Sequence, residues 1–538
     1  MLLLSGLAAA PAAAMRGDAE ALGQYVRARL ADAAGAPEQA APGYAMLLAE
    51  QPEDSALALR AWRGAIAAGD MALASRAARL LDARGVLPAE GRILMAAEAM
   101  VARDWPAARM AVDRIEEEQA FEFLAPILRA WINLGARQGP TAELLQGRLT
   151  GLTAAYASEQ RALLLLAEGK ADEGLGILRA MGPGGPGISR NAVRIAAASR
   201  LAGLGEREDA VSVLVPEGAD LNAARALAAK RKLPGAVLTA PAGVSLLLVR
   251  LAEDIQRQQP TPLALSLVRV AGLLDPRSDA VHILVAGMLE ADGRSAVALA
   301  ALDRVDPNGP WTSRVNDARA QLLVERGEGE IALVLATRAT RAKDVVAKDW
   351  IRLGGVQGSL GLHAESAASY ARAVDLTQAA GTDAPWTLWL LKGGAYEQAG
   401  DWVNARPALV KAATLAPDQP AVLNYLGYAQ LERRENLEEA EKLILRASQL
   451  RPKDSAITDS LGWVYYVRGN LPKAIETLER AVQGQPDEPT INEHLGDAYW
   501  AAGRRIDARY AWRAALLGAD APGSERLRGK IDFGPPAP

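Results

Sequence analysis

The chain has 538 residues, 50% hydrophobic and 23% charged. That is too long for one ordinary core and too apolar for a disordered polymer, so several domains or one extended array are expected. A formal net charge of −4 excludes the basic footprint of a nucleic-acid binder, and 0 Cys excludes disulfides, thiolate nucleophiles, thiolate metal sites and a lipid-modified N-terminal Cys.

Met1–Ala14, MLLLSGLAAAPAAA, is an apolar run ending in an A-x-A-like processing site. Residues 1–14 are therefore expected to be a signal peptide and the protein periplasmic, with a cytoplasmic location as the alternative. The first basic residue, Arg16, follows the run, so the usual positive flank is missing. The run is too short to span a bilayer, and no later stretch reaches about 18 uninterrupted apolar residues. Strand signals are weak throughout, whereas Ala is abundant, which suits helices in close approach.

Weak repeats come next. Ala40, Tyr44 and Leu47 are echoed by Ala74, Ala78 and Leu81, then by Ala108, Val112 and Ile115. Residues 18–180 read as a first helical array. Met181–Gly187, MGPGGPG, cannot sit inside a helix. It lacks the Lys-Ser or Lys-Thr of a phosphate loop, so it is read as a junction. A middle array is expected over 188–345, with Ala264, Val268 and Ala271 on one of its helices and a second junction at Leu233–Gly243.

The best-formed repeats occupy 346–517. Leu426-Gly427, Leu461-Gly462 and Leu495-Gly496 recur at steps of about 35 and 34 residues. Ala440, Ala474 and Ala508 follow, then Ala447, Ala481 and Ala515, and Pro417, Pro452 and Pro486 close units. Packing explains the pattern: the Gly is expected where two helices cross, the first Ala to face it, and Leu409, Ile444, Leu478 and Trp512 to fill the space toward the next unit. Residues 518–538 are expected to form a turn, a short amphipathic cap at Ser524–Lys530 and a disordered end.

Leu-Gly, Ala, Ala and Pro at this period, with Trp350-Ile-Arg-Leu-Gly354 as a W-x2-L-G opening, resemble the tetratricopeptide repeat family. The resemblance implies an all-α fold, a right-handed superhelical solenoid of antiparallel helix pairs. Asp459-Ser-Leu-Gly-Trp-Val-Tyr-Tyr466, His494-Leu-Gly-Asp-Ala-Tyr-Trp500 and Gly503-Arg504 are similar to large bacterial envelope members, some of them outer-membrane lipoproteins that serve as adaptors for a periplasmic C-terminal processing protease. The likeness is strong over about 350–517 only. The acylated Cys of those lipoproteins is missing here, so lipid anchoring is not implied.

In such arrays the first helix of each unit lines a concave channel. Counting from the Leu-Gly pairs puts Asn424, Tyr428, Asp459, Trp463, Tyr466, Glu493, Asp497 and Trp500 on that face, spaced three to four residues apart within each helix. The set is aromatic and acidic, which favours an apolar and basic segment. Lacking Lys and Arg, it does not suit a carboxylate tail. The expected function is a non-enzymatic scaffold or adaptor for a protein or peptide, with an envelope protease or assembly complex as the implied partner. The alternative is an auxiliary subunit of an envelope enzyme or a polysaccharide or cell-wall machine. No catalytic residue, cofactor or metal is expected. His282, His363 and His494 are far apart in sequence, Glu493, His494 and Asp497 fall short of a zinc ligand set, and no nucleophile elbow, H-E-x-x-H or Walker sequence occurs.

Overall fold

A computed structural model describes residues 12–147, 149–182, 187–233, 235, 239–259, 261–342 and 345–535, with side chains from residue 20 onward. Among these residues the secondary structure is helical, with two short 3-10 turns and no strand. None of the helices is long and apolar enough to cross a membrane. Most of the expected signal peptide lies outside the described residues.

Contacts divide the chain into two units, between Leu322 and Leu323. The first contains α1 (Ala12–Ala33), α2 (Pro37–Glu50), α3 (Ser55–Ala68), α4 (Met71–Ala83), α5 (Ala89–Ala102), α6 (Trp105–Glu117), α7 (Ala125–Ala136), α8 (Gly151–Glu168), α9 (Ala171–Met181), α10 (Ile188–Leu204), α11 (Arg207–Ser212), α12 (Gly218–Ala228), α13 (Ala240–Gln258), α14 (Pro262–Leu274), α15 (Asp279–Ala291) and α16 (Ser295–Leu302). The weak repeats are second helices of pairs: Ala40 and Tyr44 on α2, Ala74 and Ala78 on α4, and Ala108 and Val112 on α6 are all buried.

The expected first and middle arrays share one hydrophobic core. The chain folds back on itself: α14 packs on α3 and α5, and α13 on α5, α7, α8 and α10. The approach is close because Gly243 has no side chain; a Cβ there would lie 2.3 Å from the ring of Trp131 on α7. Glu253 of α13 accepts the backbone N–H groups of Ile188 and Ser189 at 2.9 Å each, satisfying two donors that the start of α10 leaves open. Arg294 reaches back to Glu38 and to the Ala67 carbonyl.

The junction expected at Leu233–Gly243 ends earlier than the sequence suggested. Thr239 caps α13, and Pro241 sits in its first turn, where a missing N–H costs nothing. Residues 234 and 236–238 lie outside the described residues, as do 183–186 of the MGPGGPG stretch, which falls between the end of α9 and the start of α10.

α17 (Thr312–Glu325) runs across the division. The second unit continues with α18 (Gly329–Ala339), then five helix pairs: α19 (Ala347–Ser359) with α20 (His363–Ala379), α21 (Trp386–Gln398) with α22 (Trp402–Leu415), α23 (Pro420–Glu432) with α24 (Leu437–Leu450), α25 (Ser455–Val467) with α26 (Leu471–Gly484), and α27 (Pro489–Ala501) with α28 (Arg505–Leu516). A last helix, α29 (Ala521–Phe533), packs on α28. It is longer than the cap expected at Ser524–Lys530, because Asp520 accepts the Gly523 N–H at 2.8 Å and Pro522 fits the first turn.

Local sequence dictates each pair. Asp454 caps α25, Asn470 caps α26, and Gly469 between them takes φ +76°, a left-handed turn that a side chain would strain. Ala405, Ala440, Ala474 and Ala508 are fully buried, as are Leu409, Ile444, Leu478 and Trp512. One packing expectation is corrected. A Cβ built on Gly462 would meet Leu478 at 2.6 Å, and one on Gly496 would meet Trp512 at 2.4 Å. The large residues thus fill the crossing inside their own unit, over the glycine, because the second helix is set about one turn further along than the sequence count implied.

Candidate peptide-binding face of the second unit

The first helices α23, α25 and α27 lie side by side, and equivalent residues one unit apart meet across them. His494 of α27 donates from Nδ1 to the Asp459 carboxylate of α25 at 2.9 Å, and its ring stacks on Trp463 at 4.1 Å and 17°. Burial opposes the imidazolium, but the adjoining carboxylate outweighs it, so the His494 pKa stands above its ordinary value. Trp463 also stacks with Tyr466, at 4.5 Å, and donates from Nε1 to Glu432 of α23 at 2.8 Å.

Between these contacts lies an open cavity of about 560 Å³. Glu397 of α21, Asn424, Tyr425, Tyr428 and Glu432 of α23, and Asp459 of α25 line it, and Glu488 and Thr490 close it from the start of α27. Most of its charges are matched. Arg433 donates to Glu397 at 2.7 Å, and the Tyr425 hydroxyl donates to the other Glu397 oxygen at 3.3 Å. Burial, then the Glu397 carboxylate, pushes the Tyr425 phenol up to about 12. Tyr428 is likewise raised, by burial first and then by Glu432 and Asp459. The neutral Asn424 differs: its Oδ1 is buried without a hydrogen-bond partner.

The eight residues expected on this face separate into three groups. Asn424, Tyr428 and Asp459 line the cavity. Trp463 and Tyr466, stacked on each other, border a second hollow of about 410 Å³. Glu493, Asp497 and Trp500 meet the last helix instead. Arg526 of α29 grips Glu493 with two hydrogen bonds, at 2.9 and 2.8 Å. Lys530 binds Asp497 at 2.6 Å and Glu493 at 2.7 Å, and Trp512 Nε1 adds a donor to Asp497 at 3.0 Å. The Trp500 ring lies against Gly534, where a Cβ would come within 2.2 Å. The last helix therefore stands where the first helix of a sixth pair would stand, with pairs 33 residues apart such as Glu493 with Arg526.

Counting from Leu-Gly pairs missed Glu397, Tyr425, Glu432 and Arg433. Glu432 was within reach, since Asn424, Tyr428 and Glu432 form one stripe at steps of four. Arg433 was not, because its side chain is placed by Glu397 of the preceding unit. Among the described residues no cluster of His, Asp and Glu could hold a metal.

Residues 462–503 match a family model described as TPR repeat. A TPR repeat-containing protein of Pseudomonas aeruginosa is 47% identical over 55 residues, which is 10% of this chain and 9% of that protein. The match thus spans about a tenth of the relative's length. Among solved structures, a tetratricopeptide repeat protein from Parabacteroides merdae is 14% identical, covers 48% of this chain and 98% of its own, and has a TM-score of 0.40. A thermophilic TPR protein of Thermus thermophilus is 21% identical over 35% of this chain and 98% of its own, with a TM-score of 0.30. Proteins of this fold generally mediate protein–protein interactions on the surfaces that their stacked helices create. The helix pairs, the buried Gly and Ala positions and the family match agree over the second unit: residues 462–503 carry a tetratricopeptide repeat, and the neighbouring pairs repeat its pattern.

Proposed function

We propose that the second unit is a non-enzymatic adaptor that holds an extended protein or peptide segment in the cavity across α21, α23 and α25. The observation that carries this reading is the buried, unpartnered Oδ1 of Asn424 in the wall of an open cavity. A carboxamide offers one acceptor and two donors, which matches the N–H and C=O of a passing peptide bond. A buried acceptor left unmade costs about 1–3 kcal/mol, so a backbone N–H that satisfies it contributes to binding. Tyr425 and Tyr428 beside it supply broad, stiff contact area. The carboxylates of Glu397, Glu432 and Asp459 bias the ligand toward Lys or Arg. A glycan is favoured less, because Trp463 already stacks with His494 and Tyr466. An envelope setting belongs to the same proposal, on the strength of the Met1–Ala14 run and the likeness to envelope adaptors, and fractionation of the full-length protein tests it.

The binding test uses full-length protein against a displayed peptide library, with Asn424→Ala and Tyr428→Ala as variants. Peptides rich in basic and apolar residues should be retained by the native chain. Each variant should weaken binding about tenfold or more, with an unchanged thermal melt. Equal retention by all three proteins would overturn the assignment.

A further inference from the structure

The first unit contains a cavity of about 270 Å³ between α8, α9, α10 and the segment that leads into α12. Leu178, Met181, Val193, Leu214 and Pro216 make its walls largely apolar. Its charged lining falls into two kinds. Arg179 is paired with Asp209 at 2.8 Å, and Arg194 is paired with the buried Asp220. Arg190 and Glu159 are different. The Arg190 guanidinium, in the first turn of α10, makes no hydrogen bond among the described residues and meets only longer-range charges. Glu159 is 4% exposed; its Oε2 accepts from Arg250 at 3.4 Å, while its Oε1 has no partner.

A buried carboxylate with one oxygen left without a donor and a guanidinium without an acceptor therefore line one small, mostly apolar space. An anion alone would satisfy Arg190 but bring negative charge toward Glu159. A cation alone would do the reverse. A molecule with both charges, close together, satisfies the two ends at once. The volume lies just below the roughly 300–1,000 Å³ of drug-sized pockets, which suits a molecule as small as one amino acid.

We propose that this cavity binds a small aliphatic amino acid, with its carboxylate on Arg190, its ammonium donating to Glu159 Oε1, and its side chain against Leu178, Val193 and Pro216. The inference is independent of the peptide-binding face of the second unit. Burial raises the Glu159 pKa against the pull of Arg250 and Arg190, and an arriving ammonium favours the ionised form.

Isothermal titration of the full-length protein tests this with three probes: L-leucine, 4-methylpentanoate, which lacks the amine, and 3-methylbutylamine, which lacks the carboxylate. Leucine should bind, and each one-ended analogue should bind about tenfold more weakly or worse. Arg190→Met and Glu159→Gln should each weaken leucine binding about tenfold or more. If Glu159→Gln disturbs the melt, Arg190→Met at its half-buried position decides the matter alone. No leucine heat up to millimolar concentration, or equal affinity for leucine and 4-methylpentanoate, would overturn the proposal. Asn424→Ala should leave leucine binding unchanged.

Discussion

The two units use the same helix pair and treat its inner face differently. In the first unit α3, α5, α7, α8 and α10 are covered by α13 and α14, which the chain itself supplies. In the second unit the cover is one helix, α29, which holds α27 by ion pairs and packs on α28, while the surface around Asn424 and Tyr428 keeps an open cavity. The difference teaches that a repeat signature specifies stacking and not vacancy. Whether a face can receive a partner depends on what the rest of the chain lays on it. In the first unit the covering contacts are mostly apolar and close, centred on Gly243 and Trp131; in the second they are the ion pairs of Arg526 and Lys530.

That contrast can be broken at either cover. The largest effect is expected from Lys530→Met. Lys530 is 9% exposed and holds both Glu493 and Asp497. Its loss leaves Asp497 buried with only the Trp512 N–H, and removing one partner of a buried pair costs roughly 3–5 kcal/mol. Hydrogen exchange should rise in α27 and α29 and stay unchanged in the first unit. Uniform protection in both helices would show that the last helix is held by packing alone. A somewhat smaller loss, of about 3 kcal/mol, is expected from Gly243→Val, at the top of the usual range for overpacking. Trp131 cannot move aside easily, since it is fully buried and its Nε1 donates to Gln160 at 2.9 Å. Exchange should then rise in α7 and α13, with peptide binding by the second unit retained.

Much of this architecture was legible in the sequence, for physical reasons that also explain the rest. The Leu-Gly and Ala positions of 346–517 report contacts inside one unit, between residues about 16 apart such as Gly462 and Leu478, so spacing alone reveals them. The return of α13 and α14 onto the first array joins residues far apart in the chain, as Arg294 and Glu38 show, and no local period encodes it. The same limit applies to the candidate face. Asn424, Tyr428 and Asp459 were readable as one stripe per helix. That Glu493 and Asp497 are engaged by α29 was not, because Ser524–Lys530 read as a short amphipathic turn with nothing to mark its cations as partners of α27. Asp497 and Glu493 looked like ligand-binding acids because their counter-ions lie 33 residues further on.

The smallest predicted effect separates the two covers by pH. Burial works against the Glu493 carboxylate, but hydrogen bonds and charge from Arg526 and Lys530 overcome it and bring its pKa down from 4.5 to about 2. A pKa depressed in the folded state adds stability that is complete above the unfolded value and fades as the pH falls toward the folded one. Here the window runs from about 4.5 down to about 2. Allowing for the solvent that still reaches this pair, the loss should be on the order of 1 kcal/mol. It should register as faster exchange in α27 and α29 as the pH drops through that window, after correction for the intrinsic pH dependence of exchange. Glu493→Gln should remove the step while leaving α13 and α14 as they are in the native chain. A step of equal size in the variant would place the acid sensitivity elsewhere, and the charged cover of α27 would then be no weaker than the apolar cover of the first unit.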